Sequence, residues 1–112
     1  EYVEQGILRG PEVEGYLLDK LEPYLKVPID AVVLGCTHYP FLRGAIRRIV
    51  GRRPEIIDGS FGIAKHLHRR LEEQQLLNPG PDAGSVSFQN SLDEPEMLEL
   101  MQALFSYEDE TP

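Results

Sequence analysis

One cysteine, Cys36, occurs in 112 residues, and that scarcity excludes an internal disulfide framework. It suits a reducing cytosol. With three histidines beside it, the chain has too few thiol and imidazole groups for a zinc module. No stretch approaches the roughly 18 consecutive apolar residues of a membrane helix. The opening residues, Glu1-Tyr2-Val3-Glu4, are not a signal peptide. Positive charge is also in deficit: the formal net charge is −8, which argues against nucleic acid as the main partner. Internal repeats and low-complexity segments are absent as well.

What is present reads as one small soluble domain with a modest core. Hydrophobic residues make up 41% and charged residues 27%, ordinary for a globular protein. The charge is unevenly laid out. Residues 43–70 carry eight basic side chains (Arg43, Arg47, Arg48, Arg52, Arg53, Lys65, Arg69, Arg70) against Glu55 and Asp58. From Asp82 onward there are eight acids and no Lys or Arg. Solvated helix faces account for such runs; a basic surface for an anionic ligand is the other reading.

Along the chain, Gly10-Pro11 opens a helix with Glu12 and Glu14 near its positive end. Val13, Leu17, Leu18, Leu21 and Leu25 recur at helical spacing, and Pro23 ends or kinks the helix early. Ala31-Val32-Val33-Leu34 is an unalternating apolar run, the pattern of a strand buried on both faces. Gly35 to Pro40 is a turn, and residues 41–50 form a helix that Gly51 stops. Ile56-Ile57 is a second short strand, Asp58-Gly59-Ser60 a turn, and residues 61–77 a helix carrying Ile63, Ala64, Leu67 and Leu71. Asn78-Pro79-Gly80-Pro81 breaks the chain, and 78–84 is the clearest linker. Val86 and Phe88 alternate with polar residues, which predicts a half-buried strand. Asp93 and Glu96 have capping-box spacing before a final helix with Met97, Leu98, Met101, Leu104 and Phe105; Ser106 to Pro112 reads as a frayed tail. This alternation predicts an α/β fold, a mostly parallel sheet layered with helices.

The chemistry concentrates in one turn. Ligands of open α/β sheets bind beyond the carboxyl ends of the strands, and Gly35-Cys36-Thr37-His38-Tyr39-Pro40 lies there. A thiol near the positive end of the following helix can be acidified. Thr37 adds a hydroxyl and a backbone N–H able to hold a carboxylate, and His38 can exchange a proton near neutral pH. A lone cysteine is otherwise an inert core residue. Other thiol chemistries fit less well. A phosphatase-like loop needs an arginine six residues after the cysteine, where Leu42 stands, with Arg43 one further on. A cysteine hydrolase would need a distant base, with His66 or His68 as candidates on a helix side that reads as exposed. Cys36 and His38 lack the further ligands that zinc requires. Lys20, Lys26 and Lys65 stand near no phosphate-cradling glycine loop for pyridoxal phosphate.

The run LGCTHYPFLR closely resembles the second cysteine motif of glutamate racemases, LGCTHYPLL. Tyr2-Val3-Glu4-Gln5-Gly6 followed by Gly10-Pro11-Glu12-Val13 is similar to the family's LVEEG…GPE segment, and Ile56-Ile57-Asp58-Gly59-Ser60 to its IDSG strand end. Val86-Ser87-Phe88 with Ser91, Asp93 and the last helix is similar to the terminal FYTSGDPE segment. The whole chain aligns with about the last two-fifths of such an enzyme. His38 favours the glutamate branch, because aspartate racemases usually carry glutamate after the Cys-Thr pair.

The resemblance implies interconversion of L- and D-glutamate without cofactor or metal, for peptidoglycan synthesis in a bacterial cytoplasm. Two thiols would work on opposite faces of Cα, one as thiolate and one as thiol. Cys36 would be the second of these, the base toward the L enantiomer. His38 would assist as acid/base, and Thr37 would contact substrate, with His38 sharing that role. Glu4 lies at the position of a family glutamate that assists in the site; a solvated or capping acid is the alternative. The family fold has two lobes, so residues 1–60 would belong to the second lobe and 61–112 would return to the first. The upstream CNTAS cysteine motif and the Asp-Ser substrate clamp are missing from this chain. The implied partners are glutamate, an N-terminal lobe, and in a homodimer a second copy. Two rival readings are a non-catalytic remnant holding an anion, and a superfamily member acting on another small acid such as aspartate.

Overall fold

A computed structural model describes residues 1–81, 83–92 and 94–108. The chain starts with a 3₁₀ turn, Val3–Gln5, closed by Gly6 at φ 73°. That turn buries Val3 and leaves Glu4 facing outward. Helix α1 spans Pro11–Leu21, with Pro11 in its first turn and Glu12 and Glu14 at its positive end. Val13 is fully buried, and Leu17 and Leu21 are half-buried on the same stripe. Pro23 ends the α-helix as expected; the chain tightens into a 3₁₀ turn at Glu22–Tyr24.

Strand β1 (Ala31–Leu34) and strand β2 (Glu55–Asp58) pair in parallel, Val32 opposite Ile56 and Leu34 opposite Asp58. Between them the chain passes through a 3₁₀ turn, Tyr39–Leu42, and helix α2 (Arg43–Val50). The expected helix at 41–50 thus begins at residue 43, because the segment after Pro40 winds as 3₁₀ first. Helices α1 and α2 pack together over one sheet face, and Val3, Val13, Leu34, Leu42, Ile46 and Ile56 form the core. Burying a side chain of this size stabilises by roughly 1.5–3 kcal/mol, so these few residues dominate the packing energy.

The other sheet face departs from expectation. Val33 is 72% and Ile57 44% exposed, so β1 is buried on one face where its apolar run predicted two. The cause is visible in helix α3 (Ser60–Glu73), which follows β2 without covering that face. Its Phe61, Ile63 and Leu67 are themselves 78%, 70% and 57% exposed. The helix also ends before the expected residue 77. Gln75 adopts φ 58°, Leu76 N–H donates to Leu71 O at 2.8 Å and Gln75 N–H to Glu72 O at 3.0 Å. That is a Schellman closure with Gln in the position glycine usually takes.

No strand forms at 85–89 among the described residues; the sheet there has two strands, β1 and β2. Val86 is 59% exposed, and alternation without a ladder partner leaves an extended segment rather than a strand. Phe88 still packs, its ring edge-on to Phe105 at 5.5 Å. Helix α4 (Pro95–Phe105) follows Glu94, which makes no side-chain cap. Asp93, the other half of the expected capping box, lies outside the described residues. The tail is anchored further than expected: Tyr107 is half-buried with its ring 6.5 Å from that of Phe41. Leu104 packs against the core, so α4 closes over the first residues of the chain and the turn after β1. Among the described residues no helix is long and apolar enough to cross a membrane.

Candidate active site

The turn after β1 presents Cys36 and Thr37 to solvent and tucks His38 halfway in. Three side chains meet at the His38 ring. Cys36 Sγ lies 3.9 Å from Nδ1, Thr37 Oγ1 lies 3.2 Å from the same nitrogen, and Glu4 Oε1 lies 3.4 Å from Nε2. Glu4 comes from the opening 3₁₀ turn, far from the motif in sequence; the burial of Val3 next to it brings it there.

These contacts select a tautomer. An ionised carboxylate only accepts hydrogen bonds, so the proton of the neutral imidazole belongs on Nε2, facing Glu4. Nδ1 then carries the lone pair, which can accept from the Thr37 hydroxyl or from the Cys36 thiol. In that arrangement the imidazole can draw the thiol proton, and Glu4 offsets the charge that the imidazolium gains. His66 is engaged elsewhere, with Arg69 Nη2 at 2.9 Å from its Nδ1. The imidazole beside Cys36 is that of His38.

A cleft of about 550 Å³ adjoins this group, lined by Glu4, Thr37, His38 and Phe41 on one side and by Met97 and Leu100 of α4 on another. The four turn and 3₁₀ residues supply polar and aromatic edges, and α4 supplies an apolar lid.

One feature went unforeseen. Arg43, the first residue of α2, donates from Nη1 to Ile56 O at 2.9 Å and from Nη2 to the Asp58 carboxylate. Asp58 also accepts from Ser60 N–H at 2.8 Å. Arg43 first, and Ser60 after it, hold the Asp58 carboxyl down at about 2, below its ordinary 3.8. The signal was available: an arginine opening the helix after one strand, and an aspartate ending the next.

Parallel strands joined through a helix, with reactive groups gathered past the strand ends, make this a segment of an α/β sheet protein. The chain is 43% identical over 104 residues to a glutamate racemase of Clostridium perfringens, matching 93% of this chain and 40% of that protein. A Clostridium botulinum glutamate racemase is 37% identical over 106 residues, 95% of this chain and 41% of its own length. Among solved structures, glutamate racemase isoform RacE1 from Bacillus anthracis superposes with a TM-score of 0.60 at 26% identity, over 83% of this chain and 34% of that one. No family model matches. The chain is similar to glutamate racemases over nearly its whole length, and it spans about two-fifths of the length of the curated proteins it matches.

Proposed function

We propose that these residues form the C-terminal part of a glutamate racemase, with Cys36 as one of its two proton-carrying thiols. The observation that carries this reading is the convergence of Cys36, Thr37 and Glu4 on the two nitrogens of His38. Racemisation breaks and remakes one C–H bond with inversion. As a thiolate, Cys36 takes the Cα proton of L-glutamate and becomes a thiol, while a thiol on the opposite face delivers a proton to the carbanionic carbon. In the reverse direction the two exchange roles. His38 accepts the Cys36 proton beforehand, and Glu4 steadies the imidazolium that results; once Cys36 has taken the Cα proton, the imidazolium gives its proton to solvent and the opposing thiolate regains one from solvent. Thr37, beside the cleft, contacts a substrate carboxylate. The reaction needs no cofactor, and its product serves cell-wall peptidoglycan synthesis in the cytoplasm.

The opposing thiol is not in this sequence, which has one cysteine. A complementary N-terminal lobe supplies it, and residues 1–60 and 61–112 belong to the second and first lobes respectively. The exposed apolar residues Val33, Ile57, Phe61, Ile63 and Leu67 fit a lobe of that kind better than water. We assign that face to the lobe; a homodimer in sedimentation of the 112-residue chain, lost on Phe61→Glu, would assign it to a second copy instead.

Circular dichroism of L- and D-glutamate is the test of function. The 112 residues alone should leave each enantiomer unchanged, and addition of the complementary lobe should start interconversion. Cys36→Ser should remove it, since a hydroxyl is far too weak an acid to serve as the base. Racemisation by the chain alone would overturn the two-thiol scheme. Turnover of aspartate in preference to glutamate would move the assignment to another substrate, and anion binding without turnover in the completed protein would leave a non-catalytic remnant.

A further inference from the structure

The turn that carries Cys36 and His38 is eight residues long, from Gly35 to Leu42, and each end is tied to β2. At its start, Leu34 pairs with Asp58 across the parallel ladder. At its end, Arg43 reaches back to the same strand, with one arm of its guanidinium on Ile56 O and the other on the Asp58 carboxylate. Asp58 is itself fixed, since its second oxygen accepts from Ser60 N–H at 2.8 Å. Both ends of the catalytic turn are thus referred to one residue of the neighbouring strand. We propose that Arg43 and Asp58 are positioning residues that hold the Cys36–His38 turn in register with the strand ends.

The geometry of the fork is what makes this specific. A guanidinium presents parallel donors in a fixed plane, so it can satisfy a carbonyl and a carboxylate together, whereas an ammonium offers a single point of charge. The pair is also sheltered, with the Asp58 side chain 10% and the Arg43 side chain 33% exposed, unlike the Arg53–Asp30 pair at 66% and 90%. Helix α2 does not depend on the latch to stay folded against the core. Gly44, Ala45 and Ile46 bury its inner face, so loss of the latch should loosen the turn before it melts the helix.

The proposal rests on Cys36 as the working thiol, yet its test does not need turnover. Cys36 is the sole cysteine, so iodoacetamide uptake by the 112-residue chain, followed by intact mass, reads this turn alone. Alkylation rate against pH is compared for the parent chain, Arg43→Lys, Arg43→Met, Asp58→Asn, and Arg48→Met as a control. Arg48 pairs with Glu14 on a different surface. Arg43→Met and Asp58→Asn should alter the rate on the order of threefold or more and change the shape of the profile, small beside the ~10²-fold that an ångström of misplacement can cost a reaction. Arg43→Lys should fall between them and the parent, and Arg48→Met should match the parent. Far-ultraviolet dichroism reports the fold of each variant. Parent-like profiles in folded Asp58→Asn and Arg43→Lys would overturn the proposal, and so would loss of fold in Arg43→Met combined with a parent-like Arg43→Lys. Failure of the racemase reading would appear separately, as turnover that survives Cys36→Ser.

Discussion

Glu4 Oε1 lies 3.4 Å from His38 Nε2, while Cys36 Sγ lies 3.9 Å from the opposite ring nitrogen. The imidazole therefore stands between a carboxylate that can only accept and a thiol that can give up a proton. Polarity runs one way along this line, from Cys36 toward Glu4.

On the proposed reading, a kinetic consequence follows for the protein completed by its N-terminal lobe. His38→Asn should lower kcat in the direction that starts with Cys36 as base by about 10²–10⁴, the usual contribution of a positioned acid–base group. Enantiomers have equal free energy, so kcat/KM must remain equal for L- and D-glutamate in every variant. The directional loss must then appear as unequal kcat values with KM shifted to match. Glu4→Gln keeps the shape of the side chain and removes its charge, and should produce the same asymmetry to a smaller degree. Initial rates from both enantiomers measure this; equal kcat losses in both directions for His38→Asn would make His38 a binding or structural residue.

Much of this site was legible in the sequence, for local reasons. Gly35 to Pro40 follows an apolar run and precedes a helical pattern, and parallel sheets place chemistry at that junction. Glu4 was reachable through the resemblance alone, since its approach to His38 depends on how Val3 packs. The Arg43–Asp58 pair was not legible, because spacing within one segment says nothing about which strand lies beside it. The β1 apolar run implied two covered faces, and α3 leaves one of them open. The alternation at 85–89 implied a strand, but a strand exists only with a partner, and none among the described residues reaches it.

Acid should weaken the fold through Asp58. Its carboxyl is held at about 2 in the folded chain against an ordinary 3.8, so it binds fewer protons folded than unfolded. The stabilisation is complete above about pH 4 and disappears as the pH falls from there toward 2. With the side chain 10% exposed, the effect amounts to roughly 2 kcal/mol. Urea denaturation at pH 6 and pH 3 should show a drop in the parent chain that Asp58→Asn lessens. An identical drop in both would mean that other carboxylates carry the acid sensitivity.

Two glycines should respond to alanine in opposite senses. Gly51, where α2 stops, has φ 78° and ψ −169°, a region that L residues avoid, and Arg47 donates both to its carbonyl at 2.9 Å and, through Nη1, to that of Pro54. An added methyl there meets no atom within 4 Å, so the cost is backbone strain alone, about 1–3 kcal/mol. Gly15 lies inside α1 with open space around its would-be methyl. Alanine at that position should stabilise by about 0.5–1 kcal/mol, since it removes the conformational freedom that glycine must give up in a helix. Thermal unfolding of the two single variants is the check, with Gly15→Ala raising Tm by a few degrees and Gly51→Ala lowering it by more. A Gly51→Ala chain that melts at or above the parent temperature would mean that the turn closing α2 relaxes freely, and that Arg47 and Pro54 do not fix the path from α2 into β2.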